Sequence, residues 1–178
     1  LDYSEQPTSE QEALNLLVCK LSLAAGEDLM PYFDLWNFPA ERAEVELSCD
    51  DGSANFGFIG GDVAAVKFKA SQPLKILKLK YYLWGTMNNI VVGVLDSSFN
   101  RVFSLDATPT SGWFVVNVSS YNIVVNGDFY VALQRPYGEP WLGVDTDPPH
   151  HLRSYLGWIG NSGQPKEGED YMIRCYIA

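Results

Sequence analysis

The chain has 178 residues, with 12 Lys+Arg against 22 Asp+Glu, and a net charge of 12 − 22 = −10. Such a length predicts one domain, or one domain with a small attachment. At 47% hydrophobic and 19% charged residues, it has too much apolar surface for a disordered chain. An acidic balance without a Lys/Arg cluster argues against a nucleic-acid partner, whose phosphates it would repel. No apolar run approaches the roughly 18–20 residues that cross a bilayer, so no membrane-spanning helix is expected.

The sequence opens at Leu1 without a basic, apolar leader, which points to a removed signal segment or to a fragment of something longer. Residues 9–25 are predicted helical. Ser9 and Glu12 form a capping box, and Leu14, Leu17, Val18, Leu21 and Ala25 fall on one face at helical spacing. Gly26 stands where a left-handed residue commonly ends a helix. Leu16, Cys19 and Leu23 make the opposite face apolar as well, the pattern of a helix sandwiched between two layers. A second helix is predicted from Asp28 to about Trp36, with Pro31 in its first turn and Asn37 and Pro39 stopping it.

After Ala40-Glu41-Arg42 the period changes. Short alternating runs begin at Val45, and strands are predicted over Val63–Ala70, Leu74–Trp84, Asn89–Asp96, Trp113–Val118 and Asp128–Gln134. Trp141–Asp145, Leu152–Trp158 and Tyr171–Ile177 complete the series. Within the second strand, Leu77, Leu79, Tyr81 and Leu83 share one face; Lys78, Lys80, Tyr82 and Trp84 share the other. Period two of this kind marks a half-buried antiparallel strand. Asn126-Gly127 between apolar runs predicts a type I′ hairpin. Thr146–Pro149 and Gly160–Gly168 are predicted loops. The expected fold is therefore mainly β: an antiparallel two-sheet, jelly-roll-like β-sandwich over 45–178, preceded by a small N-terminal helical segment over 1–44.

No zinc-helix, phosphate-loop, serine-elbow or Cys-x-x-Cys motif occurs. Adjacent His150 and His151 are expected as an exposed loop pair, since strand neighbours point to opposite faces and chelate poorly. Cys19, Cys49 and Cys175 lack metal-ligand spacing and are expected as small buried hydrophobes, with a Cys49–Cys175 bridge as the alternative. Asn117-Val118-Ser119 matches the glycosylation pattern within a predicted strand.

Two sets of residues carry binding chemistry. Asp50, Asp51, Asp145 and Asp147 crowd two turns and form a candidate calcium site, because calcium takes six to eight oxygens from carboxylates, carbonyls and water. The competing reading is Asx-turn chemistry, in which each carboxylate bonds its own backbone. Tyr82, Trp84, Tyr137, Trp141, Tyr155 and Trp158 form a candidate aromatic platform for a ligand such as a glycan, against the alternative that they fill the core.

The stretch from Ser22 to Pro39, with Gly26-Glu27-Asp28-Leu29 and Phe33-Asp34-Leu35-Trp36-Asn37-Phe38, resembles the closing helices of gluzincin and enhancin-like secreted metallopeptidases. Asn37 stands where that pattern carries Gly. From Cys49 onward, Asp50-Asp51-Gly52-Ser53, Tyr82-Leu83-Trp84-Gly85, Gly127-Asp128-Phe129-Tyr130-Val131, Gly143-Val144-Asp145 with Arg153-Ser154-Tyr155, and Asp170–Arg174 are similar to a β-sandwich appended to secreted bacterial and archaeal hydrolases. The resemblance implies an upstream peptidase-like domain as partner and an extracellular or cell-surface location. The zinc-binding helix of such enzymes is not in this sequence, so the chain by itself is not expected to be an enzyme. The expected role is a non-catalytic accessory domain that engages a polymer or protein ligand. A carbohydrate-binding module is one alternative, and a self-assembly domain of a surface layer or virus particle is another.

Overall fold

Among the described residues, alternation of apolar and polar residues after Glu44 resolves into eleven strands: β1 Val45–Leu47, β2 Phe56–Phe58, β3 Val63–Trp84, β4 Ile90–Leu95, β5 Arg101–Ala107, β6 Gly112–Asn117, β7 Val124–Gln134, β8 Trp141–Asp145, β9 Ser154–Gly157, β10 Asp170–Tyr171 and β11 Ile173–Ile177. The computed structural model describes residues 44–58, 63–134 and 139–178. Of the earlier residues it describes Glu10, Ala13, Leu14, Leu17, Val18, Leu21, Leu29, Tyr32, Phe33 and Trp36. Two compact units are present, Leu1–Val45 with Ala178, and Glu46–Ile177.

In the second unit the registered ladders are antiparallel, and β3 belongs to two layers at once. Its first half, from Val63 to Lys75, lies between β9 and β7, and β7 leads on to β4 and the edge strand β5. Its second half, from Ile76 to Trp84, lies between β11 and β6, and at its end pairs with β8, which carries β2 and β10. The architecture is the antiparallel β-sandwich that the patterning predicts. Between the layers sit Phe68, Phe129, Val131, Leu133, Leu79, Tyr81, Leu83, Leu142 and Val144, all buried. Tyr81 fastens one layer to the other, its hydroxyl donating to the Ala132 carbonyl at 3.0 Å.

Three expectations change. Val63–Ala70 and Leu74–Trp84 are one strand, because a bulge at Ser71-Gln72-Pro73 absorbs the irregularity without ending the pairing. Asn126-Gly127 does not turn a hairpin; it lies inside β7 opposite that bulge, with Gly127 at φ +75°. The positive φ that suits Asn-Gly to a hairpin serves equally well at a bulge. In β3, a register shift between Ile76 and Lys78 changes the facing, so Ile76 is fully buried where Leu77 was expected.

In the N-terminal unit, Glu10, Ala13, Leu14, Leu17, Val18, Leu21, Tyr32 and Phe33 are helical. Val18 is buried, but Leu17 and Leu21 of the expected inner face are exposed. Leu16, Cys19, Leu23 and the helix ends lie outside the described residues. Among the described residues, no helix is long and apolar enough to cross a membrane.

Candidate functional site

Successive residues of a strand point to opposite sides, so a β3 that buries Leu79, Tyr81 and Leu83 must turn Lys80, Tyr82 and Trp84 outward. Directly opposite residues on neighbouring strands share a face. Register therefore sets Trp113 of β6 beside Tyr82, and Trp141 of β8 beside Trp84. All four rings are half-buried. Tyr82 stands edge-on to Trp84 (centroids 5.7 Å apart, planes at 86°) and to Trp113 (5.3 Å, 70°), the arrangement that aromatic quadrupoles favour.

Glycines on the adjoining strands make room for these rings. A Cβ on Gly57 of β2 would stand 2.7 Å from Trp84 Nε1 and 2.9 Å from Trp84 Cζ2. Strand β8 opposes Gly143 to that residue, so both hollows lie on one surface. The turn beyond Trp84 is held as well: Thr86 N–H donates to Glu139 Oε2 at 2.7 Å, and Asn88 Nδ2 donates to the Glu139 carbonyl. The hydrogen bonds from Thr86 hold the Glu139 carboxyl below its usual range.

Beside the rings lies a closed cluster of charges. Arg174 of β11 donates to Asp50 through Nε and Nη2 and to Glu46 through Nη1, while its guanidinium carbon lies 4.4 Å from the Trp113 centroid. Lys80 bonds Glu46 at 3.0 Å and lies 4.6 Å from the same centroid. Tyr176 donates its hydroxyl to Glu46. Burial raises the Glu46 pKa, but the bonds from Tyr176, Arg174 and Lys80 outweigh it and hold the carboxyl below its usual range. Trp113 is thus a seat for cations, and Tyr82, Trp84 and Trp141 are the rings left to present.

At the far end of β8, Asp145 is buried and meets Asp51 and Asp147, with one ligand atom of each within 4.8 Å of the others. Asp145 accepts from the backbone N–H of Asp51 at 2.9 Å and of Asp147 at 2.8 Å. Ser53 N–H bonds Asp51, Asn55 Nδ2 bonds Asp147, and Asn55 Oδ1 receives Thr146 N–H. Three of the four expected acidic residues therefore meet. Asp50 does not join them, because Arg174 takes it and its remaining turn bond goes to Gly52 N–H.

His151, expected with His150 as an exposed loop pair, is exposed in a loop and is also partly tied down. Its backbone N–H and its Nδ1 both meet the buried carboxylate of Asp170, the ring at 3.1 Å. A carboxylate-oriented imidazole still needs a nucleophile. The Cys49 thiol is a poor one, since burial pushes its pKa up to about 11. Cys49 and Cys175 are both free and buried, so the bridge is not formed.

Of the six predicted platform residues, Tyr82, Trp84 and Trp141 come together. Tyr155 is on the other layer, opposite Ala65, packed edge-on to Tyr130 at 5.2 Å. Trp158 is 61% exposed in a separate tight turn closed by Asn161, and Tyr137 lies outside the described residues. Trp113 was missed as a site residue, because only strand register reveals that it flanks Tyr82. The sequence matches no protein-family model. No curated protein is detectably similar to it.

Proposed function

We propose that this chain is a non-catalytic accessory domain of a secreted or cell-surface hydrolase, and that it engages a polymer or protein ligand through Tyr82, Trp84 and Trp141. The observation that supports this is three half-exposed rings on paired strands, two of them seated by glycines and the adjoining turn held by Glu139. Rings held ahead of binding lose little freedom when a ligand arrives. An upstream peptidase-like partner is supported by the resemblance of residues 22–39 and by exposed Leu17, Leu21, Tyr32 and Trp36 in the N-terminal unit. The test is a mixed array of glycans and secreted proteins, probed with the full chain and with Trp84→Ala and Trp141→Ala. Signals present in the wild type and lost in both folded variants are expected. An array pattern unchanged by either substitution contradicts the reading.

A second reading concerns calcium. The approach of Asp51 to Asp145 and Asp147, from distant parts of the sequence, gathers hard oxygen donors of the kind calcium takes. Calcium bound there would raise the melting temperature, and chelator would lower it. A melting temperature indifferent to both leaves these carboxylates as turn chemistry alone.

A further inference from the structure

We infer that the ligand of the Tyr82–Trp84–Trp141 surface is an uncharged pyranose polysaccharide. This rests on the reading that these rings bind a ligand at all, and adds its chemical class.

Charge decides first. Among the described residues, the cations on this sheet face are already engaged: Arg174 by Asp50, Glu46 and the Trp113 ring, Lys80 by Glu46 and the same ring, and Lys78 by the Tyr176 ring at 5.1 Å. A polyanion such as a uronic-acid or sulfated chain would have to break these pairs, in a protein of net charge −10. What borders the rings is different. Glu139 and Asn88 hold the turn beyond Trp84. A carboxylate accepts hydrogen bonds from hydroxyls, and an amide both accepts and donates them, without needing a charged partner.

Shape decides next. Protein interfaces are anchored by side chains that fill pockets. Here the hollows over Gly57 and Gly143 are filled by the protein's own Trp84 and Tyr82 rings. The resulting surface spans neighbouring strands about 4.8 Å apart. A pyranose can lay its apolar C–H face on one of these rings, with the neighbouring ring edge-on beside it, while its equatorial hydroxyls stay hydrogen-bonded.

The experiment is native gel electrophoresis of the full chain through gels containing soluble neutral polysaccharides (β-glucan, xylan, galactomannan) or anionic ones (polygalacturonate, heparin). Retardation by at least one neutral polymer is expected. It should be insensitive to added salt and weakened about tenfold or more in Trp84→Ala and Trp141→Ala. Matched circular dichroism would confirm that both variants fold. If either does not, quenching or shift of wild-type tryptophan fluorescence by the corresponding oligosaccharide is the second readout, and its absence counts against the inference. Retardation by anionic polymers alone, relieved by salt, overturns the inference and leaves ligand binding at the rings standing. No retardation by any polymer, with ring-dependent signals only on protein spots of the array, overturns the inference in favour of a protein ligand. No ring-dependent signal in either experiment removes the inference together with the reading beneath it.

Discussion

The ring of Tyr82 rests on Gly143: a Cβ at that glycine would lie 2.9 Å from Tyr82 Cδ1 and 2.9 Å from Met172 Sδ. Gly143 is on β8 and Tyr82 on β3, so the aromatic surface depends on a glycine in a different strand from its rings. Alanine there must push aside either Tyr82 or a fully buried methionine. Overpacking of this kind costs about 1–3 kcal/mol. Gly143→Ala is expected to lower unfolding stability by that order in a denaturant titration, and to weaken binding at the rings. Unchanged stability would mean that Tyr82 is not held as described.

Tyr81 points the other way along the same strand and joins the two layers. Its hydroxyl is buried, and burial raises its pKa well above the ordinary value, so it remains a neutral donor to the Ala132 carbonyl. Tyr81→Phe removes one buried hydrogen bond and is expected to cost about 1 kcal/mol, with no effect on ligand binding. Equal stability of the two proteins in urea would contradict a bond that fastens the layers.

Much of this was legible beforehand. Period-two alternation placed Leu79, Tyr81 and Leu83 inside and Lys80, Tyr82 and Trp84 outside, because side-chain direction along a strand is a local property. The same logic could not find Trp113 or Gly143, whose roles come from strand partners distant in sequence. Asn126-Gly127 misled for a related reason: the conformation it favours is shared by hairpins and bulges, and only the partner strand chooses. Asp50 illustrates the electrostatic version. It sits next to Asp51 in sequence, yet Arg174 draws it into a separate cluster. Strand β5, Arg101–Ala107, was not predicted as a strand; it is an edge strand with little burial to sharpen its pattern.

Acid should act through Glu46. Its carboxyl is held below the ordinary 4.5 by hydrogen bonds that outweigh burial. With a folded-state pKa lower than the unfolded one, it contributes stability that is fully present above the unfolded value and is lost as pH falls through the folded one. Wild-type stability is expected to fall more steeply from about pH 5 to about pH 3 than that of Glu46→Gln. Parallel curves for the two proteins would show that Glu46 is not a stabilising carboxylate.

Cys49 and Cys175 should be inert in the native protein. Burial raises both thiols, Cys49 to about 11 and Cys175 further, so neither offers thiolate at neutral pH. Peptide mapping after alkylation is expected to find both unlabelled until denaturant is added. Rapid labelling of either in the folded state would contradict its burial.

The most direct measurement is a nitrogen–proton correlation spectrum of the five tryptophan side chains during titration with a neutral oligosaccharide. Indole signals from Trp84 and Trp141 should move together and saturate, while those of Trp36 and Trp158 stay in place. Movement confined to Trp36 or Trp158, or none at saturating glycan, would contradict the assignment of this sheet face as the glycan-binding surface.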